Sequence, residues 1–484
     1  MPDRSTRRLA ARLDRRRSTG IGLAALAAGL SAASAQADPL SVSTARTTAV
    51  ATATAANDSA GDVSITSAGS IIVEDEGPAL LVDSDNDVTN EGTIGSSAST
   101  GATALLVDAS GGRSATITND GTISVTGSEG SDNYGIRIVG DLFTGSLLGS
   151  TDGTVTVGGT NSHAVSIEAP MIGDISLSNL IVTGADSVAL GVYALVAGDI
   201  TLDGSSYASA ANATGVLIAA PLDGTLTVQG TVSAGQSSGT GTDSDGNTVS
   251  IYAASGTVVQ ISADVTGGFV NDRYYESSAG VRVGDTAVSS SDTLIAGALV
   301  GTNGSTALLV TPVEGSSTDI LISAVGESGS DDGYGIVNRS AISGAGTEYG
   351  YSVTSVRIAG SDDASVSVEG GLINQSNGTI TATTRAATAI SLEVGDGATV
   401  PAIVNQGSIT ATDSTVETDV TSVAQAVVLR AGSTVDTLVN SGAIGAIAST
   451  VGSGRRSSTR AARSARSSTA GRSRQAVSTP SRST

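Results

Sequence analysis

The feature that most limits what this chain can fold into is a phrase that recurs along it, apolar-x-Asn-x-Gly-x-Ile. It reads Val88-Thr89-Asn90-Glu91-Gly92-Thr93-Ile94, then Ile117-Thr118-Asn119-Asp120-Gly121-Thr122-Ile123. It returns as Ile403-Val404-Asn405-Gln406-Gly407-Ser408-Ile409 and as Leu438-Val439-Asn440-Ser441-Gly442-Ala443-Ile444. Weaker copies run over 65–71, with Ser67 in the place of Asn, and over 372–380, with a longer turn. The spacings are 23 residues from Ser67 to Asn90 and 29 to Asn119, then 31 and 35 among the late copies. An internal period in the twenties or thirties marks a solenoid, whose units bury their apolar faces only by stacking.

The middle of the chain uses a second phrase. Gly173-Asp174-Ile175-Ser176-Leu177, Gly198-Asp199-Ile200-Thr201-Leu202 and Asp223-Gly224-Thr225-Leu226-Thr227 follow one another at 25 residues, and Ala169-Pro170 and Ala220-Pro221 stand just before two of these units. Alternating runs such as Thr122-Ile123-Ser124-Val125 and Thr225-Leu226-Thr227-Val228 read as half-buried strands. In the Asn-x-Gly phrase the Gly is expected to turn the chain at φ > 0. The Asn is expected to bond its own backbone or to stack on its equivalent in the next unit.

Three short strands and three corners account for one unit, and stacking places each strand beside its equivalent in the unit below. The fold expected is therefore all-β, a right-handed parallel β-helix (solenoid) of short repeats over residues 38–453, with roughly 14 to 18 coils stacked at about 4.8 Å. A β-sandwich array expects longer strands and more aromatics. A disordered chain lacks the periodic Val, Ile and Leu.

Composition agrees. The 484 residues include 62 Gly, 9 Tyr, 2 Phe and no Trp, so the core is expected to be small and β-branched, and a helical or α/β enzyme is disfavoured. No Cys occurs, which excludes disulfides, thiolate metal sites and thiol nucleophiles. There is no Lys; of 24 Arg, seven precede residue 18 and eight follow residue 454. Between these ends nine Arg face 44 acids, a net of −35, which repels nucleic acid and keeps a sticky β protein soluble.

Residues 1–37 read as an export signal. Arg4, Arg7, Arg8, Arg12 and Arg15 to Arg17 form a basic start, residues 20–33 a small-apolar stretch, and Ala35-Gln36-Ala37 a cleavage site that leaves Asp38 first. The apolar stretch is shorter than the roughly 20 residues a membrane anchor needs. The triple Arg leaves a twin-arginine route open.

A basic signal followed by hundreds of Gly/Ser/Thr/Asn-rich residues with VTNEGTI, ITNDGTI, IVNQGSI and LVNSGAI resembles the passenger region of bacterial autotransporters (type V secretion), over about residues 60–445. The resemblance implies a structural or adhesive, non-catalytic surface protein. Its implied partners are an outer-membrane β-barrel translocator and cell-surface or polysaccharide ligands, and its implied destination is the cell surface of a Gram-negative bacterium. A complete family member ends in a barrel of aromatic-girdled strands. Residues 454–484 do not read as one: they form a basic Arg/Ser-rich tail, disordered by composition. The expectation for the chain as written is thus the periplasm.

The tail has a second reading. If its true codons start one base earlier, Arg (CGN) becomes Ser, Pro, Thr or Ala, Ser (TCN) becomes Phe, Leu, Ile or Val, and Thr becomes Tyr, His, Asn or Asp. Over 463–473 the rule permits Thr-Leu-Gly-Thr-Ile-Val-Asn-Ser-Gly-Thr-Ile, and it allows the residues of 434–444 at ten of eleven positions, all but Asp436. A frame change inside one more repeat is expected.

Dedicated chemistry is not legible: no catalytic, cofactor-binding or metal-binding residues are assigned. His163 is the sole His, at the start of a repeat strand, and reads as a corner or surface residue. The alternative function is a β-helix carbohydrate-active enzyme, a polysaccharide lyase or glycosidase, with Asp174 and Asp199 as a carboxylate ladder; the corner they occupy explains their repetition better. The acidic turns Asp83-Ser84-Asp85-Asn86-Asp87, Asp243-Ser244-Asp245-Gly246-Asn247 and Asp331-Asp332-Gly333 carry oxygen ligands for Ca²⁺, but the first has Val88 and Ile94 where an EF-hand needs Gly and Glu. Binding is expected at two outward loops, 271–277 and 347–351, which hold four of the nine Tyr.

Overall fold

The computed structural model describes residues 39–449, apart from 76, 99, 128–129, 236–237, 243–247, 253–255, 279–280, 285–286, 327–332 and 415–422, together with Ser468–Thr469. Residues 1–37, read above as an export signal, and, apart from those two residues, the stretch 454–484 lie outside the described residues.

Strands recur in a fixed order and pair with their equivalents one coil away, so the fold is a parallel β-helix. Sheet 1 runs through thirteen strands from Leu40–Val42 to Thr437–Asn440, followed by Ser468–Thr469; sheet 2 has thirteen, from Ala45–Arg46 to Ala443–Ser449; sheet 3 has twelve, from Val50–Ala51 to Val423–Leu429. A fourth, narrow sheet was not expected. It joins two-residue strands such as Phe143–Thr144 and Met171–Ile172, and Val265 bridges it to Ile320–Ile322 and its successors.

The core is built as columns. Ile117, Leu147, Ile175, Ile200, Leu226, Phe269, Ile336, Leu372 and Ile403 follow one another down sheet 1, all fully buried. Each such side chain contributes about 1.5–3 kcal/mol on leaving water. No residue of the column does so without the coil above and the coil below.

Among the described residues up to Ser449 the coils number thirteen, below the 14 to 18 expected. The reason is that outward excursions consume chain: consecutive sheet-1 residues Asn271 and Asn338 are 67 residues apart. The first weak repeat is also corrected. Ile65, not Ser67, lies beside Asn90, while Ile71 pairs with Ile94, so the early copy has a turn two residues longer.

The corner phrase works differently from expectation. None of Gly92, Gly121, Gly407 and Gly442 has a positive φ. A Cβ on Gly121 would lie 2.3 Å from the carbonyl oxygen of Gly92, and one on Gly442 would lie 2.0 Å from that of Gly407. Glycine is required because backbones stack there without room for a side chain. The Asn expectation holds in both forms: Asn90 Oδ1 accepts the Gly92 N–H of its own corner at 3.2 Å, and Asn90 Nδ2 donates to Asn119 Oδ1 at 2.7 Å. Farther along, Asn271, Asn338, Asn374, Asn405 and Asn440 form one buried ladder with links of 2.7–2.8 Å. Every link runs from the Nδ2 of one coil to the Oδ1 of the next. The first rung, Asn271, accordingly has a buried Oδ1 without a donor. The rung Asn338 lies in Ile336-Val337-Asn338-Arg339-Ser340-Ala341-Ile342, a copy masked in the sequence by Ser for Gly.

Candidate binding surface

The acidic residues singled out in the sequence act as rungs between coils. Asp174 Oδ1 accepts the backbone N–H of Asp199 at 2.9 Å, and Asp199 Oδ1 that of Thr225 at 2.7 Å, so the pair serves the corner. Asp85, Asp87 and Asp120 take the N–H groups of Ser114, Thr116 and Ser150 in the same way. In the first acidic turn, Asp83 accepts the Ala53 N–H at 2.8 Å, and Asn86 donates to Asp62. A carboxylate is a strong acceptor for an N–H stranded at a corner. Of the other acidic turns, 243–247 and 331–332 lie outside the described residues, and Gly333 turns at φ +96°. Among the described residues no group of three His, Cys, Asp or Glu is placed to hold a metal.

The best-shielded carboxylates are all engaged. Asp272 is bound by Arg339 at 2.6 Å and Arg282 at 3.0 Å; Glu393 by Arg430 at 2.7 Å and Arg357 at 3.5 Å; Asp413 Oδ1 by Thr384 Oγ1 at 2.7 Å and the Ala387 N–H at 3.1 Å. The Oδ2 of Asp413 is buried without a partner.

His163 opens the strand His163–Ile167 of sheet 3, as its place in the repeat implies, but it is buried, not a surface residue. Its ring stacks on Tyr134 of the preceding coil, centroids 5.3 Å apart and planes within 8°. Its Nε2 bonds the Tyr193 hydroxyl of the following coil at 2.8 Å, and its Nδ1 is buried without a partner. Burial pushes the imidazole pKa down, which favours the neutral ring. Burial likewise pushes the Tyr193 phenol up to about 12. The phenol end of Tyr193 rests against Gly191, where a Cβ would come within 2.5 Å of the ring.

Arg137 completes the cluster, its guanidinium 4.3 Å from the Tyr134 centroid and bidentate to Glu168 at 2.9 and 2.7 Å. Burial raises the Glu168 pKa, but the bonds from Arg137 and Ser166 outweigh it and hold the carboxyl below its usual value. Sequence reading missed this group because its members come from three coils; their offsets of 29 to 31 residues match the repeat period and were the available signal.

Both expected loops exist, with different bounds. Asn271 belongs to the buried ladder, and the first excursion starts at Asp272 and rejoins sheet 2 at Ala298–Thr302. It forms a three-stranded antiparallel sheet of Arg273–Glu276, Arg282–Gly284 and Thr293–Ala296. Two of the nine central Arg, Arg282 and Arg339, pair with the buried Asp272 at its base, and two face tyrosines: Arg282 on Tyr274 at 4.5 Å and Arg273 on Tyr275 at 5.5 Å. The second loop follows the strand Ala341–Tyr349, where Arg385 covers Tyr349 at 4.6 Å. These Arg–Tyr pairs can offer planar donors and ring faces to a ligand, on a surface otherwise rich in Ser, Thr and acids.

Comparison of the chain with protein-family models, curated proteins and solved structures returns no match.

Proposed function

We propose that the chain is an exported passenger of the autotransporter type, structural or adhesive and not catalytic. The observation that supports this most is where its ionisable groups are used: acids hold successive coils together, and the shielded carboxylates are neutralised by Arg or bonded to backbone. A repeat that spends its polar chemistry on stacking makes an extended scaffold, and its distinctive side chains lie on outward excursions. In this reading residues 1–37 direct export and the partner for display is an outer-membrane β-barrel. The ligand, a cell-surface or polysaccharide target, meets the Arg–Tyr pairs of the excursions.

Two measurements test it. Production in a Gram-negative host should yield a periplasmic chain beginning at Asp38; a chain retained in the cytoplasm with its first 37 residues intact counts against export. Beads coated with the protein should adhere to polysaccharide surfaces, with adhesion reduced in an Arg282→Ala/Arg385→Ala variant. Release of reducing or unsaturated ends from the polysaccharide would replace the adhesive reading with a catalytic one.

A further inference from the structure

The thirteenth coil is unlike those before it. In earlier coils Ile403 and Ile409 are fully buried; their successors Leu438 and Ile444 are only half-buried, and Ile447 is 55% exposed. The amide ladder also changes there. Asn405 donates to Asn440 at 2.7 Å, but among the described residues Asn440 Nδ2 reaches only the Gly442 carbonyl, at 3.3 Å.

One short strand lies on this edge. Ser468 pairs with Val439 and Thr469 with Asn440, in parallel, an offset of 29 residues. The same offset relates 463–473 to 434–444, the two segments that the shifted codons make equivalent, although the codon comparison makes no use of strand pairing. Counting on from Thr469 brings Gly471 to the place of Gly442, the corner position at which stacking leaves no room for a Cβ. Counting the same way brings Ser467 and Ser473 to the places of Leu438 and Ile444, whose side chains face the core. The sequence at these places thus keeps the glycine of the repeat and has serine where the repeat has its apolar side chains.

We propose that the open edge of the strands Thr437–Asn440 and Ala443–Ser449 is a docking surface for one further coil of the same repeat, that residues 463–473 stand in that coil's place, and that their codons read one base earlier encode it. The shifted codons permit Ile, Val, Asn and Ile at positions 467, 468, 469 and 473. These supply two side chains to continue the core columns and one amide to receive the Asn440 donor.

In the full chain, the variant Ser467→Ile/Ser468→Val/Thr469→Asn/Ser473→Ile is expected to raise the thermal midpoint. It should also slow hydrogen exchange of the Leu438 and Asn440 amides, which face the following coil, by about tenfold. The control places the same side chains one residue earlier, as Arg466→Ile/Ser467→Val/Ser468→Asn/Arg472→Ile, and should do neither. Equal protection by both, or by neither, overturns the docking surface. Sequencing the gene and reading codons 455–484 one base earlier should return the repeat phrase; a stop codon there overturns the shared frame even if the variant is stabilised.

Discussion

The glycine at each Asn-x-Gly corner is held by its neighbour in the stack and not by its own torsion angles. Gly121→Ala should therefore destabilise the protein by about 1–3 kcal/mol, the cost of forcing atoms into a filled site, because the new Cβ meets the Gly92 carbonyl. Gly77→Ala, at a glycine with nothing within 4 Å, should leave the thermal midpoint unchanged. The Asn ladder predicts a gradient of its own. Asn374→Ala breaks links to both Asn338 and Asn405, each worth about 1–3 kcal/mol when it leaves a buried group unpaired. Asn271→Ala breaks one link and removes an oxygen that already lacks a donor, so it should cost less in denaturant unfolding. His163 gives a pH test that only one residue can report, since the chain has a single His. Its folded-state pKa is depressed by burial, so the folded protein binds its proton less readily than the unfolded chain. Stability is then full above the unfolded value near 6.5 and is lost as pH falls through the lower folded value. The NMR midpoint of His163 should lie below about 6.5, and His163→Val, the residue type at Val188 in the next coil, should remove the dependence in that window.

Among the elements, the excursion that begins at Asp272 is the one whose attachment depends on charge. Asp272 is the shared anchor of Arg282, on the excursion, and Arg339, in the next coil. Removing a buried partner of such a pair typically costs about 3–5 kcal/mol. Asp272→Ala should therefore loosen the excursion, and trypsin should cut after Arg273 and Arg282 much faster than in the parent protein, while the stacked strands on either side stay resistant. Equal cutting rates would show that the antiparallel pairing of Arg273–Glu276 with Thr293–Ala296 suffices to hold it. The narrow fourth sheet has a simpler origin. Two of its two-residue strands, Met171–Ile172 and Leu222–Asp223, follow Pro170 and Pro221, which present carbonyls to the N–H groups of Phe143 and Val196 in the coils before them but have no N–H of their own to donate.

Taken as one molecule, the described stack obeys nearest-neighbour rules: each coil is buried by two others, and the terminal coils by one. Hydrogen exchange should be slowest for central strands such as His163–Ile167 and Val188–Val192, where every residue is buried, and fastest in Thr437–Asn440 among the sheet-1 strands. Protection equal throughout would mean that the coils unfold as a single cooperative block. The excess of acids is compatible with such a stack because many of the carboxylates accept backbone N–H groups across coils, which offsets part of their mutual repulsion.

The solenoid was legible because its causes are local. Alternation of Val, Ile and Leu with Ser and Thr makes short strands whatever lies beside them, and a recurring corner phrase spaces those strands evenly. The acids of the second phrase were likewise readable as corner residues. Register across coils was not readable, since it depends on how much chain each excursion consumes. That is why the described coils number thirteen; a longer turn places Ile65 and not Ser67 beside Asn90, and Ser340 in the place of Gly hid the copy that holds Asn338. It is also why the Tyr134–His163–Tyr193 stack and the Asp272–Arg339 pair appear only when the chain is wound, since their members meet through stacking and lie 29 to 67 residues apart. Even the corner glycines needed the tertiary structure for their explanation. Their identity was plain in the repeat, but the carbonyl that excludes every other residue belongs to the coil below.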